Sequence, residues 1–334
     1  MFKNIFKNKS ILITGGTGSF GIAFVNYLLK NKIPLKKIII FSRDEFKQFE
    51  LSKLFSENKF PNIRFFIGDV RDKSRLELAL NDVDYVIHAA ALKHVSTAEY
   101  NPFEVIKTNI LGSQNLIEAC LDNKVKKVIA LSTDKAAAPL NLYGASKLCL
   151  EKLFVAANNV KGKKNITFSI LRYGNVLGSR GSVIPEFLKQ KESEKLFITT
   201  HEMSRFSISL EQCVKMALFA LSNSIGGEIF IPKIFSFKIV DLAKVIAPHA
   251  KLKFIGARLG EKTYEELITI PESTNVIESK KYYIILPSFD KRFSYYLNSK
   301  QWKKVNKSFS YNSSNCLILN KTQIKSLLKT NKFI

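Results

Sequence analysis

The chain has 334 residues, 46% of them apolar, with a formal charge of +24 and a pI near 9.8. This length and apolar content imply one large or two unequal globular domains and exclude a disordered chain. The lysines and arginines are spread along the whole chain with no basic run of five or more. That pattern argues against a nucleic-acid-binding module and leaves a diffuse positive field suited to anionic small molecules.

In chain order, residues 1–7 are basic, but only Ile11 to Ile13 follow before a glycine cluster, too short for the apolar region of a signal peptide. No apolar run approaches the ~20 residues of a membrane helix. A cytoplasmic protein without membrane contact is expected. Short apolar runs at 10–14 (SILIT), 37–41 (KIIIF), 64–67 (RFFI), 84–88 (DYVIH), 128–132 (VIALS) and 167–172 read as buried strands. Residues 20–31, 73–81, 102–123 and 143–159 read as the helices between them. The alternation predicts an α/β fold with a doubly wound parallel sheet and right-handed crossovers. After Arg172 the pattern turns irregular. The expected division is a dinucleotide-binding domain over 1–172 and a smaller, mainly substrate-binding lobe over 173–334 that partly returns to the sheet. Four scattered cysteines and four scattered histidines give neither a disulfide framework nor metal-ligand spacing, so no metal is expected.

Gly15, Gly18 and Gly21 follow the first strand and open a helix. They permit a tight turn and a close approach of backbone to a pyrophosphate, with the helix N-terminus facing the phosphates. The second strand ends at Ser42-Arg43. An arginine there accepts a 2′-phosphate, so Arg43, with Ser42 and Lys47, points to NADP; Asp44 is either a competing ribose ligand or a helix cap. Asp69-Val70 follows the third strand, placed to meet an adenine. Ala89 and Ala90 follow the fourth, where small side chains admit a ribose or nicotinamide.

Ser132-Thr133-Asp134-Lys135 ends the next strand, and Tyr143-x-x-x-Lys147 follows. One helical turn brings that phenol and ammonium to one face, and a cation beside a tyrosine favours the phenolate. Tyr143 is thus a candidate general base for an alcohol hydroxyl, and Asp134 and Lys135 supply two further proton-transfer groups that simple oxidation does not need.

These elements resemble the extended short-chain dehydrogenase/reductases, and more specifically the inverting UDP-N-acetylglucosamine 4,6-dehydratases of pseudaminic acid synthesis. The matching runs include ITGGTGSFG (13–21), SRDEFKQFE (42–50), HAAALKHV (88–95), KTNI (107–110), ALSTDKA (130–136), NLYGASKL (141–148) and RYGNVLGSRGSVIP (172–185), extending to about residue 285. The resemblance implies oxidation at C4, elimination across C5 and C6, and reduction at C6, with inversion at C5. In it Tyr143 is the base, Lys147 holds the cofactor ribose and Thr133 bonds the C4 oxygen. Lys135, desolvated enough to be partly neutral, takes the C5 proton, and Asp134 protonates the departing hydroxyl. It also places Thr17, Ser19, Phe20, Lys93 and Val176 at the cofactor. Ala89, Lys93, Asn175, Arg180, Val183, Arg258 and Glu261 fall around the UDP-sugar. A homo-oligomer is implied as well. Departures from the family pattern fall at Ser96, Ala138 (usually Asn), Thr200 and Ser207 (usually Trp), which bear on the sugar pocket more than on the reaction type. A 4- or 5-epimerase, a retaining dehydratase and a dinucleotide-binding regulator are the alternatives.

Overall fold

The computed structural model describes residues 3–56, 58–179, 181–257, 260–287 and 292–334. Six parallel strands form the expected sheet: β1 (Lys9–Thr14), β2 (Leu35–Ser42), β3 (Ile63–Ile67), β4 (Tyr85–His88), β5 (Lys127–Thr133) and β6 (Thr167–Tyr173). Their order is 3-2-1-4-5-6. The central strands are buried almost throughout because helices cover both faces, which is why they read as continuous apolar runs rather than alternating ones. The strand order reverses between β1 and β4, and ligands bind in the crevice that such a reversal opens at the carboxyl ends of the strands.

The sheet continues beyond β6. Ile229–Pro232 pairs with β6 in parallel, and Tyr282–Ile285, Val276–Glu278 and Lys303–Lys304 follow antiparallel, giving ten strands among the described residues. A three-stranded sheet of Asn175–Val176, Ser204–Ile208 and Phe235–Lys238 stands apart, with a second small apolar core around Leu196, Phe237, Leu242 and Ile324.

The helices mostly fall where the pattern puts them, at Ser19–Lys30, Lys73–Ala79 and Leu142–Val160. The stretch expected as one helix over 102–123 is broken by a π-helical turn, Ile106–Leu111, between Pro102–Val105 and Gly112–Asp122. A helix not expected from the pattern, Glu45–Leu54, has almost no apolar face; Asp44 starts it by accepting from the Lys47 N–H at 2.9 Å. Among the described residues no helix is long and apolar enough to cross a membrane.

Candidate active site

One cavity of about 1500 Å³ runs along the carboxyl ends of the strands, from the glycine loop to Phe187, Ile198 and Met203 of the second apolar core. Gly15, Thr17, Gly18, Ser19, Phe20 and Gly21 form one end. Gly15 has φ +64°, and a Cβ there would stand 2.8 Å from the Ala90 nitrogen, so only glycine lets β1 and β4 diverge this closely. The helix that follows is capped by Gly18 with no side-chain bond, so its first N–H groups face the cavity unsatisfied by any side chain. Ser42, Arg43, Lys47, Asp69 and Val70 line the adjoining wall. The Thr17 and Ser42 hydroxyls bond at 2.8 Å and fix the loop to β2.

Two polar groups on that wall have partners that sequence alone leaves open. Asp44 is the helix cap, and its carboxylate also pairs with the Lys47 ammonium. Asp69 binds Arg71 at 2.8 and 3.0 Å and lies 3.7 Å from Arg43. Burial raises the Asp69 carboxyl, but the Arg71 bonds outweigh it and hold it below the usual range.

Ala89, Ala90, Lys93, Asn175, Val176 and Val183 line the middle of the cavity, with Glu261 at the far end. Arg180 and Arg258 lie outside the described residues.

Thr133, Lys135, Tyr143 and Lys147 share one wall. Asn141 starts the tyrosine helix by accepting from the Gly144 N–H at 2.9 Å. A Cβ on Gly144 would fall 2.2 Å from the Lys135 carbonyl oxygen, so any side chain there would force Tyr143 away from Lys135. Asp134 is fully buried and does not reach the cavity wall. Its Oδ1 accepts from the Thr133 hydroxyl at 2.9 Å and from Lys135 at 3.1 Å, while its Oδ2 has no partner among the described residues. Burial pushes the Asp134 carboxyl up.

The electrostatics differ from the sequence expectation at two groups. Lys135 was expected to be partly neutral through desolvation. Desolvation does act that way, but Asp134 and Glu265 outweigh it and hold the ammonium above the ordinary lysine range. Lys147 was expected to ease the Tyr143 phenol down. In the structure burial raises the phenol, and the first cation opposing this is Lys135. Burial itself brings Lys147 down to about 8, with Glu151 opposing.

Three supports were invisible in the sequence. Asn109, buried on the π-helical turn, accepts from the Leu92 N–H at 2.8 Å and donates to the Leu92 carbonyl and the Ser146 hydroxyl, each at 2.9 Å. It ties the loop after β4 to the tyrosine helix. His88 lies beneath. The Ser113 hydroxyl donates to the Asn109 carbonyl at 2.6 Å, so it accepts from His88 Nε2–H at 3.1 Å, and the Thr14 hydroxyl donates to Nδ1 at 2.8 Å. Burial lowers this imidazole to about 3, keeping it neutral. The third support is Glu265, from the irregular half, whose Oε1 lies 3.0 Å from Lys135 Nζ. Among the described residues no group of three or more His, Cys, Asp or Glu could hold a metal.

Residues 11–287 match the family model described as polysaccharide biosynthesis protein. The chain belongs to this family. Within it, the chain is 55% identical, over 93% of its length and 94% of the relative's, to the UDP-N-acetylglucosamine 4,6-dehydratase (inverting) of Campylobacter jejuni. It is 43% identical to a protein named UDP-glucose 4-epimerase in Rickettsia bellii, covering 97% of this chain and 96% of that one. Among solved structures, Pen from Bacillus thuringiensis superposes with a TM-score of 0.90 at 38% identity, covering 98% of this chain and 99% of that one.

Proposed function

We propose that the protein is an NADP-dependent hydro-lyase that dehydrates UDP-N-acetylglucosamine at C4–C6 with inversion at C5, giving UDP-2-acetamido-2,6-dideoxy-β-L-arabino-hex-4-ulose, a first step towards pseudaminic acid. The observation that carries it is the Asp134–Lys135 ion pair, 3.1 Å apart, whose lysine lines the cavity on the same wall as Tyr143 while the aspartate stands buried behind it. Oxidation alone calls for a base and a cofactor; elimination calls for this further proton-transfer pair. The 55% identity to an inverting dehydratase supports the same substrate and stereochemistry.

The residues present fit a nicotinamide dinucleotide. The Gly15 cradle and the side-chain-free helix N-terminus suit a pyrophosphate, and exposed Arg43 suits a 2′-phosphate. Such a cofactor would supply a hydride acceptor for C4 oxidation and, once reduced, the hydride donor for C6. Tyr143 takes the C4 hydroxyl proton. Lys147, cationic below about pH 8, binds the ribose. Thr133 orients the C4 oxygen. Lys135 serves proton transfer at C5. Asp134, set behind Thr133 and Lys135, takes the proton that Lys135 releases and passes it through the Thr133 hydroxyl to the C6 oxygen, which leaves as water. Asn175, Val183 and Glu261 line the part of the cavity that would take the nucleotide sugar, and the family resemblance assigns Arg180 and Arg258 to the same ligand. Residues 1–172 carry the cofactor side and 173–334 mainly the sugar side.

The 43% identical Rickettsia protein makes 4-epimerisation the competing reading. Incubation with UDP-N-acetylglucosamine in D2O separates the two. Dehydration gives a product lighter by one water, with deuterium at C5 and the L-arabino configuration at early times. A product of unchanged mass sinks the dehydratase reading, and an early D-xylo product sinks the inversion alone. Sampling must be early because a 4-keto sugar epimerises at C5 through its enol.

A further inference from the structure

Lys135 Nζ has three acceptors around it: Glu265 Oε1 at 3.0 Å, Asp134 Oδ1 at 3.1 Å and Asn175 Oδ1 at 3.4 Å. An ammonium has three N–H donors and no lone pair, so this arrangement uses all of them. Asp134 is the adjacent residue on the chain. Glu265 comes from the second half of the chain, just before the main-core residues Leu267 and Ile268; the Ser313 hydroxyl accepts from its N–H at 3.0 Å and its carbonyl accepts from the Ser313 N–H at 2.9 Å. Its side chain is buried yet reaches the cavity, and its Oε2 has no partner among the described residues. Asp134 does not line the cavity, so Glu265 is the carboxylate that meets Lys135 on the cavity wall.

We propose that Glu265 is a positioning residue for the elimination step, holding the Lys135 ammonium in the cavity and setting the pH at which Lys135 can release a proton. The word elimination rests on the dehydratase reading; the control of Lys135 does not. The other ionisable groups facing this pair are Asp134, Tyr143, Arg205 and Lys262. Arg205 Nε lies 3.9 Å from Glu265 Oε1 and, with Lys135, keeps Glu265 ionised despite its burial. Lys135 accepts a C5 proton only after its own N–H bond breaks and that proton passes to the Asp134 carboxylate 3.1 Å away. Two carboxylates oppose that loss in the resting protein.

The test uses full-length protein carrying ¹³C-labelled lysine. The Lys135 Cε resonance is assigned by its absence in Lys135→Arg and followed against pH. Glu265→Gln keeps the shape and removes the charge. Loss of one opposite charge at this distance lowers the Lys135 midpoint by about one to three pH units. Glu265→Asp restores most of the unmutated midpoint. In parallel, the KM for UDP-N-acetylglucosamine changes less than about threefold in Glu265→Gln, while the pH dependence of C5 deuterium exchange moves to lower pH. An unmoved Lys135 resonance in folded Glu265→Gln overturns the proposal. Should Glu265→Gln not fold, Glu265→Asp decides: a midpoint below that of the unmutated protein by a fraction of a unit supports the role, and an identical one overturns it. No water loss by the unmutated protein sinks the dehydratase reading and the link to elimination, while the titration still decides whether Glu265 controls Lys135.

Discussion

The Asn109 amide donates to the Ser146 hydroxyl at 2.9 Å, joining a π-helical turn to the helix that carries Tyr143 and Lys147. The same side chain closes two bonds to the Leu92 backbone, next to Lys93. Asn109→Leu removes both side-chain partners of the part-buried Leu92 N–H and carbonyl. Each orphaned group costs about 1–3 kcal/mol, so the urea midpoint should fall by the equivalent of ~2–4 kcal/mol, with a weakened affinity for NADP.

Tyr143→Phe should lower turnover by ~10² or more while UDP-sugar affinity, read by calorimetry, stays within a few-fold. Burial raises the Tyr143 phenol and Lys135 opposes it. The active form is the phenolate, so the rate of C4 oxidation should rise with pH. Lys135→Met removes the opposing cation and should move that rise to higher pH. A rise unmoved in Lys135→Met would mean that another cation governs the phenol.

Lys147 titrates at about 8 in the folded protein against 10.5 for a free lysine. Between these values the unfolded chain holds a proton that the folded one lacks, so stability rises with pH across that window. Below it the full penalty of the buried charge is present. Lys147→Met removes the penalty and should make the cofactor-free protein more stable at pH 7 by on the order of 3 kcal/mol, while abolishing activity. The gap between the two proteins should close from pH 8 to 10.5 in denaturant titrations.

Arg43→Asp should weaken NADP binding more than tenfold and leave NAD nearly unchanged, measured by fluorescence titration. The arginine is more than half exposed and tethered only loosely to Asp69 at 3.7 Å, so it is free to meet a phosphate. Equal affinity of the unmutated protein for both cofactors would refute the NADP assignment.

Ala138 occupies the left-handed region at φ +47°, where the family pattern usually has asparagine. A residue with a Cβ pays about 1–2 kcal/mol there. Ala138→Gly should therefore raise the urea midpoint by the equivalent of about 1 kcal/mol, with kcat unchanged because the side chain is exposed.

The first half of the fold is legible because burial on both faces turns each central strand into a short apolar run, as in SILIT of β1 and VIALS of β5. The glycine loop and the Tyr143–Lys147 spacing are legible because the chemistry demands fixed residue types at fixed offsets. The helix Glu45–Leu54 escapes a periodicity argument because it lies on the surface with phenylalanines outward: Phe46 is 67% and Phe49 53% exposed. Glu265 escapes for another reason. It sits 130 positions from Lys135, in a stretch whose two consecutive glutamates carry no periodic signal, and only the tertiary fold brings one of them to the lysine. Glu265 adds to what the neighbouring Asp134 does to the Lys135 ammonium, a contribution that residue types in sequence do not reveal.

The parallel pairing of Ile229–Pro232 with β6 has an evolutionary side. A chain cut after β6 would leave a strand edge flanked by fully buried Ile170 and Leu171, an open template for aggregation. Recombination that grafts a foreign sugar-binding half onto this cofactor half must also bring the strands that seal that edge. On this scaffold, substitution at cavity-lining residues such as Asn175 and Val183 changes the sugar pocket without disturbing that edge, whereas exchange of the whole half does disturb it.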